Sequence, residues 1–203
     1  MAILKATDEA IRRAAAIIRR GGVVIYPTET VYGLGCDPAD AEAARRICII
    51  KGRSDKPLPL ACADIEAARR IVRFNPAAES VAARFWPAPL MLVLPARVVY
   101  PIWVTQGAPT LGVRVPDHGV ARRLAGLSGG VIVSTSANRT GEPPPTTAGE
   151  AVDAIGDEVD LILDGGPSPL TLPSTVLDLS GERPRVLRSG PIPEERLREA
   201  LAA

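Results

Sequence analysis

Short, strongly apolar runs alternate along this chain with stretches whose apolar residues recur at helical spacing, and that alternation leaves few architectures open. Val23-Val24-Ile25-Tyr26, the run at 90–94 and Val131-Ile132-Val133 are too short for helices and read as buried strands. Residues 58–62, 111–115, 159–163, 175–179 and 185–187 add further strand candidates. Between them, Ile11, Ala14, Ala15 and Ile18 mark a helix that Thr7 or Asp8 can cap and Gly21-Gly22 ends. More helices are expected at 40–50, 64–73, 76–84, 117–127 and 148–155, with a last one from about Pro193. Residues 28–35 and 134–147 carry the polar residues and glycines of turns and loops. Strands interleaved with helices predict an α/β domain on a twisted, mostly mixed sheet with flanking helices. The 203 residues fit one domain, 1–203, with no repeat or linker to divide it.

Several functions are disfavoured at once. The net charge of +1 creates no global field toward nucleic acid or anionic lipid. Cys36, Cys48 and Cys62 make neither a CxxC pair nor an even set, and with His118 the single histidine they fall short of a zinc site. Three reduced thiols in the cytoplasm are the expectation. No signal-like apolar block follows Arg12, Arg13, Arg19 and Arg20, and the run at 90–94 cannot span a bilayer, so no membrane contact is expected. GxxxxGK[ST], a complete GxGxxG, HExxH and GxSxG are all missing. His118, at a helix start after Pro116, is a poor member for a hydrolase triad.

What remains is a set of polar residues at strand ends, where ligands collect in open α/β sheets. Pro27-Thr28-Glu29-Thr30-Val31-Tyr32-Gly33-Leu34-Gly35 follows an apolar strand; it can hold a small polar ligand or satisfy its own turn. Lys51-Gly52-Arg53-Ser54-Asp55-Lys56 holds two of the chain's three lysines. That loop could bind a nucleoside triphosphate, or simply favour the end of a helix dipole. Arg114, ending Thr110-Leu111-Gly112-Val113, must face solvent or be paired, either with a ligand carboxylate or with a protein Asp or Glu. Ser134-Thr135-Ser136-Ala137-Asn138 can hold phosphate oxygens, a ribose, or its own turn. Pro173-Ser174-Thr175 and Arg188 complete the set.

In this order and spacing the segments resemble the YrdC/TsaC family, the threonylcarbamoyl-AMP synthases, over about residues 21–190. The match rests on the Tyr26-to-Gly35 motif, Lys51 and Arg53, Ser136 and Asn138, Ser174-Thr175-Val176, and Leu187-Arg188-Ser189-Gly190. The resemblance implies a YrdC-like fold with a large concave, basic cavity. It implies Thr30, Arg114, Ser134 and Ser174 around L-threonine. It sets Lys51, Arg53, Lys56, Thr110, Ser136, Asn138 and Arg188 around ATP, with Lys51 and Arg53 as catalytic cations. The implied reaction joins L-threonine, bicarbonate and ATP into threonylcarbamoyl-AMP and pyrophosphate for tRNA modification. Mg²⁺ would arrive with ATP rather than on a protein site, and a TsaD-type transferase would take the product.

Two departures stand out. Many members carry a histidine shortly after the Lys-x-Arg loop, where Ala61 or Cys62 stands here, and that loop is one residue shorter than usual. Both features admit a YciO-like paralogue with a different acceptor. The extra C-terminal domain of longer relatives is not expected. Five Arg-Arg pairs also leave an RNA-binding reading open, although aromatic residues for base stacking are scarce at 3%.

Overall fold

The computed structural model describes residues 2–52 and 55–202. The chain begins with β1 (Ala2–Lys5), α1 (Asp8–Ile18), β2 (Val24–Tyr26), β3 (Gly33–Gly35) and α2 (Ala41–Lys51). It continues through β4 (Leu60–Cys62), α3 (Ile65–Ile71), α4 (Pro76–Phe85), β5 (Leu90–Pro95), α5 (Ile102–Thr105) and β6 (Thr110–Arg114). Then come α6 (Gly119–Leu127), β7 (Val131–Val133), β8 (Thr135–Ser136), α7 (Ala148–Ile155) and β9 (Leu161–Asp164). β10 (Thr175–Asp178), β11 (Arg185–Arg188) and α8 (Glu194–Ala202) close it.

The strands divide between two mixed sheets. One has the order β1-β9-β2-β3-β8, the other β11-β10-β5-β6-β4-β7. In the first, β1, β9 and β2 run parallel, and β3 and β8 add antiparallel strands. In the second, β10 is parallel to β5, β5 antiparallel to β6, and β6 parallel to β4.

Continuous apolar runs arise because both faces of the central strands are buried. Ile25 of β2 and Ile162 of β9 point into a large core shared with α2, α4, α7 and α8. Their neighbours Val24, Tyr26, Leu161 and Leu163 point the other way, into a smaller core closed by α1 and α6. β7 does the same, with Val131 and Val133 on one side and Ile132 on the other. The α1 periodicity read from the sequence places Ile11, Ala14, Ala15 and Ile18 in the smaller core, and the Thr7 hydroxyl caps the helix by accepting from the Ala10 amide.

Four elements fall outside the sequence reading: β1, α5, β3 and β8. β3 lies in the expected turn, and its glycines are the reason it can pair. A Cβ at Gly33 would sit 2.9 Å from Tyr26 Cζ, and one at Gly35 would sit 2.6 Å from the Val133 carbonyl oxygen. Only bare backbone fits beneath the Tyr26 ring. β8 is a two-residue strand at the start of the expected loop, hydrogen-bonded to β3.

Cys36, Cys48 and Cys62 are buried thiols. Among the described residues no helix is long and apolar enough to cross a membrane.

Candidate active site

β2, α2, β6, β8, β10 and β11 each deliver polar side chains, directly or through the loops they start, to one cavity of about 640 Å³. Around it lie Thr30, Lys51, Lys56, Thr110, Arg114, Ser134, Ser136, Asn138, Ser174 and Arg188. These are the residues named from the sequence, except Arg53, which lies outside the described residues. Glu142 is the one carboxylate among the described lining residues.

Arg114 organises one end. It closes β6 and is only 5% exposed. Its Nη1 donates to Glu29 Oε1 at 2.9 Å, to Ser174 Oγ at 2.7 Å and to Thr30 Oγ1 at 3.3 Å. Of the partners a buried arginine could take, the protein therefore supplies a carboxylate, Glu29. Arg114 still lines the cavity, and its Nε and Nη2 make no hydrogen bond among the described residues.

The turn that carries Glu29 is fixed by Thr28. Its hydroxyl donates to the Val31 carbonyl at 2.7 Å and accepts from the amides of Thr30 and Val31. The same hydroxyl lies 3.0 Å from Thr30 Oγ1. So the threonines satisfy the local turn, and Thr30 also lines the cavity.

Arg188 sits beside this end, its Nε donating to the Ser174 carbonyl at 2.9 Å. Two guanidinium groups thus brace on one serine, Arg114 on its hydroxyl and Arg188 on its carbonyl. Partial burial holds the Arg188 pKa below the ordinary guanidinium value, and the charge of Arg114 adds to that effect. Such a pair gains from a shared anion. A glycine at 190 lets the chain pass, because a Cβ there would lie 2.5 Å from the Thr175 amide nitrogen.

Lys51 defines the other end. It is the last residue of α2, 3% exposed, where Gly52 adopts the left-handed backbone (φ 64°) that turns the chain out of the helix. Its Nζ donates to the carbonyls of Ser136 at 2.7 Å and Asn138 at 2.8 Å. The Thr140 amide returns a bond to the Lys51 carbonyl, and Arg139 reaches the Ile50 carbonyl. α2 and the loop after β8 are thereby joined at several points. The Asn138 amide nitrogen is committed to the carbonyls of Arg139 and Glu142, and its Oδ1 is buried without a hydrogen-bond partner among the described residues. Lys56 is exposed at the rim and Thr110 opens β6.

Sequence reasoning did not single out Glu29 or Tyr32 as individual site residues. Tyr32 lines the cavity and donates to the Gly166 carbonyl at 2.7 Å, tying the loop after β9 to the wall. Burial pushes its pKa up to about 12, so it stays neutral. Its place in a threonine-rich segment after an apolar strand was the available signal. Ala61 and Cys62, standing where many family members have a histidine, are fully buried in β4 away from the cavity lining. Burial pushes the Cys62 thiol to about 12. Among the described residues no group of His, Cys, Asp and Glu could hold a metal ion.

Two mixed sheets that send their loop and strand ends to a common polar cavity define an α/β ligand-binding class in which the site is assembled from many short segments. The chain belongs to the Sua5/YciO/YrdC family, whose sequence model, described as telomere recombination, matches residues 16–190. It is 42% identical over 193 residues to a threonylcarbamoyl-AMP synthase of Pyrococcus abyssi, covering 94% of this chain and 57% of that relative. The crystal structure of P. abyssi Sua5 complexed with L-threonine superposes with a TM-score of 0.95 at 39% identity, covering 99% of this chain and 61% of that one. E. coli YciO superposes with a TM-score of 0.85 at 28% identity, covering 97% of each chain. The chain thus spans about three-fifths of the Pyrococcus proteins and nearly all of YciO.

Proposed function

We propose that this protein is a threonylcarbamoyl-AMP synthase, joining L-threonine, bicarbonate and the adenylyl group of ATP with release of pyrophosphate and water. The observation that carries the reading is the division of the cavity. Arg114 and its hydroxyl partners Thr30 and Ser174, with Ser134 on the same cavity, offer a site for an α-carboxylate and a side-chain hydroxyl. Lys51 and Lys56, with Arg53 between them in sequence, offer cations for a triphosphate together with Thr110, Ser136 and Asn138, and Arg188 adds a further cation beside Arg114. The P. abyssi relative, complexed with L-threonine, supports the first assignment.

The chemistry follows from charge. The threonine amine captures bicarbonate, losing water, to give a carbamate. A carbamate oxygen then attacks the α-phosphorus of ATP; the bond to the β-phosphate oxygen breaks and pyrophosphate leaves with the electron pair. Negative charge grows on the pyrophosphate and the α-phosphoryl oxygens, where Lys51 and Arg53 would stabilise it electrostatically. Mg²⁺ would enter with ATP, as part of the MgATP substrate. The basic character of the cavity belongs to the same proposal. So does a cytoplasmic location, where ATP and tRNA are available and buried thiols stay reduced, and so does delivery of the product to a TsaD-type transferase.

The test is pyrophosphate release from ATP with threonine and bicarbonate omitted in turn. Release that requires both is the expected result. Saturable ATP binding without release would point to a YciO-like paralogue with another acceptor, and absence of ATP binding would overturn the enzyme reading and make RNA the next ligand to test.

A further inference from the structure

Glu29 does not line the cavity, yet its carboxylate determines the charge of the Arg114 end. It is 4% exposed, and Oε1 accepts from Arg114 Nη1 at 2.9 Å. Oε2 is buried without a hydrogen-bond partner among the described residues. The residue cannot easily shift, because Thr28 pins the turn and the Leu170 amide donates to the Glu29 carbonyl. A half-satisfied buried carboxylate is costly, and a neutral amide would anchor Arg114 through the same oxygen at lower cost. What the carboxylate adds is charge.

That charge changes what the cavity attracts. Without it, Arg114 and Arg188, braced on the same Ser174, would join Lys51 and Lys56 in one continuous field for polyanions. With it, the Arg114–Glu29 pair has no net charge, while Arg114 still offers its Nε and Nη2 donors in the planar fork that suits a carboxylate. An amino acid is a zwitterion with one carboxylate and no net charge. A phosphate or pyrophosphate brings at least one further negative charge toward Glu29.

We propose that Glu29 is a specificity-determining residue: its charge reserves Arg114 for a zwitterionic amino acid and excludes phosphate oxyanions from it, so that the triphosphate is left to Lys51, Lys56 and Arg188. The identity of the amino acid rests on the function proposed above; the exclusion of phosphate does not.

Calorimetric titration with L-threonine and with inorganic phosphate, on the wild type, Glu29→Gln and Glu29→Ala, tests it. Glu29→Gln keeps an acceptor oxygen for Arg114 and removes the charge. The expected result is that excess phosphate leaves the threonine affinity of the wild type unchanged but weakens that of Glu29→Gln about tenfold or more, the scale of a lost unit charge a few ångströms away. Glu29→Ala, which also frees the guanidinium, should weaken threonine binding even without phosphate. Threonine affinity in Glu29→Gln that stays insensitive to phosphate overturns the proposal. So does a lowered melting temperature in both variants with threonine and phosphate lost together, the mark of a structural role. Failure of the wild type to bind threonine would refute the functional reading, and phosphate stoichiometry would then decide alone: a second phosphate site in Glu29→Gln sustains the inference, and its absence overturns it.

Discussion

At the Arg114 end of the cavity a buried cation is held by a carboxylate and two hydroxyls, whereas at the Lys51 end a cation of similar burial is held by backbone carbonyls. The difference is electrostatic as well as geometric. A carboxylate cancels charge; carbonyl dipoles orient a charge without cancelling it. The Arg114 end, with its own carboxylate, can therefore present a nearly neutral face, which on the function proposed above suits an amino acid. The two supports also differ in reach. Glu29, Thr30 and Ser174 fix Arg114 through side chains from two loops, while Lys51 grips the main chain of a third, so its removal loosens a loop as well as deleting a charge.

The largest effect should come from breaking the Arg114 end. Arg114→Ala leaves Glu29 as an uncompensated buried charge, a loss of about 3–5 kcal/mol in stability. Glu29→Ala in the same background should recover much of it, and denaturant unfolding of the two single variants and the double variant measures the coupling. Additive losses would show that the two side chains act independently and that the neutral end is not a unit.

Lys51→Ala comes next. Loss of a preorganised cation at developing charge lowers turnover by about 100-fold or more. Threonine binding at the other end should persist, because none of the Arg114 contacts involves Lys51. Pyrophosphate release and threonine calorimetry on the same preparation check the split. If both ligands are lost together, the loop at Ser136 and Asn138 serves both ends and the division fails.

How much of this could be read from the chain depends on the distance over which each feature is determined. Helix α1 with its Thr7 cap, and α2, follow from local spacing and were legible. Arg114 within an apolar strand announced that it had to face solvent or find a partner. Nothing local identified that partner, which lies 85 positions earlier. β3 was hidden because its glycines read as a turn, although they are there to admit the Tyr26 ring. The second sheet was hidden for a related reason. A strand buried on both faces gives an unbroken apolar run, which conceals both the sheet it joins and the core each side chain enters. The resemblance supplied what periodicity could not, the gathering of distant polar segments at one cavity.

The smallest effect is the most direct reading of the charge at the Arg114 end. His118, the chain's single histidine, starts α6 and lies within the fields of Glu29, Arg114 and Asp117. Burial lowers its pKa first; Glu29 and Asp117 oppose that shift, and Arg114 reinforces it. Because the folded-state pKa is depressed, the stability linked to His118 is complete above the unfolded value of about 6.5 and is lost as pH falls through the folded one. Denaturation midpoints should therefore fall more steeply in the wild type than in His118→Gln as the pH is lowered from 7. A proton NMR titration of this one imidazole sharpens the comparison. Its midpoint should lie below the ordinary histidine value in the wild type and lower still in Glu29→Gln, where the opposing carboxylate charge is gone. An unchanged midpoint in that variant would mean that the Glu29 charge is screened from its surroundings, and the neutrality assigned to the Arg114 end would lose its physical basis.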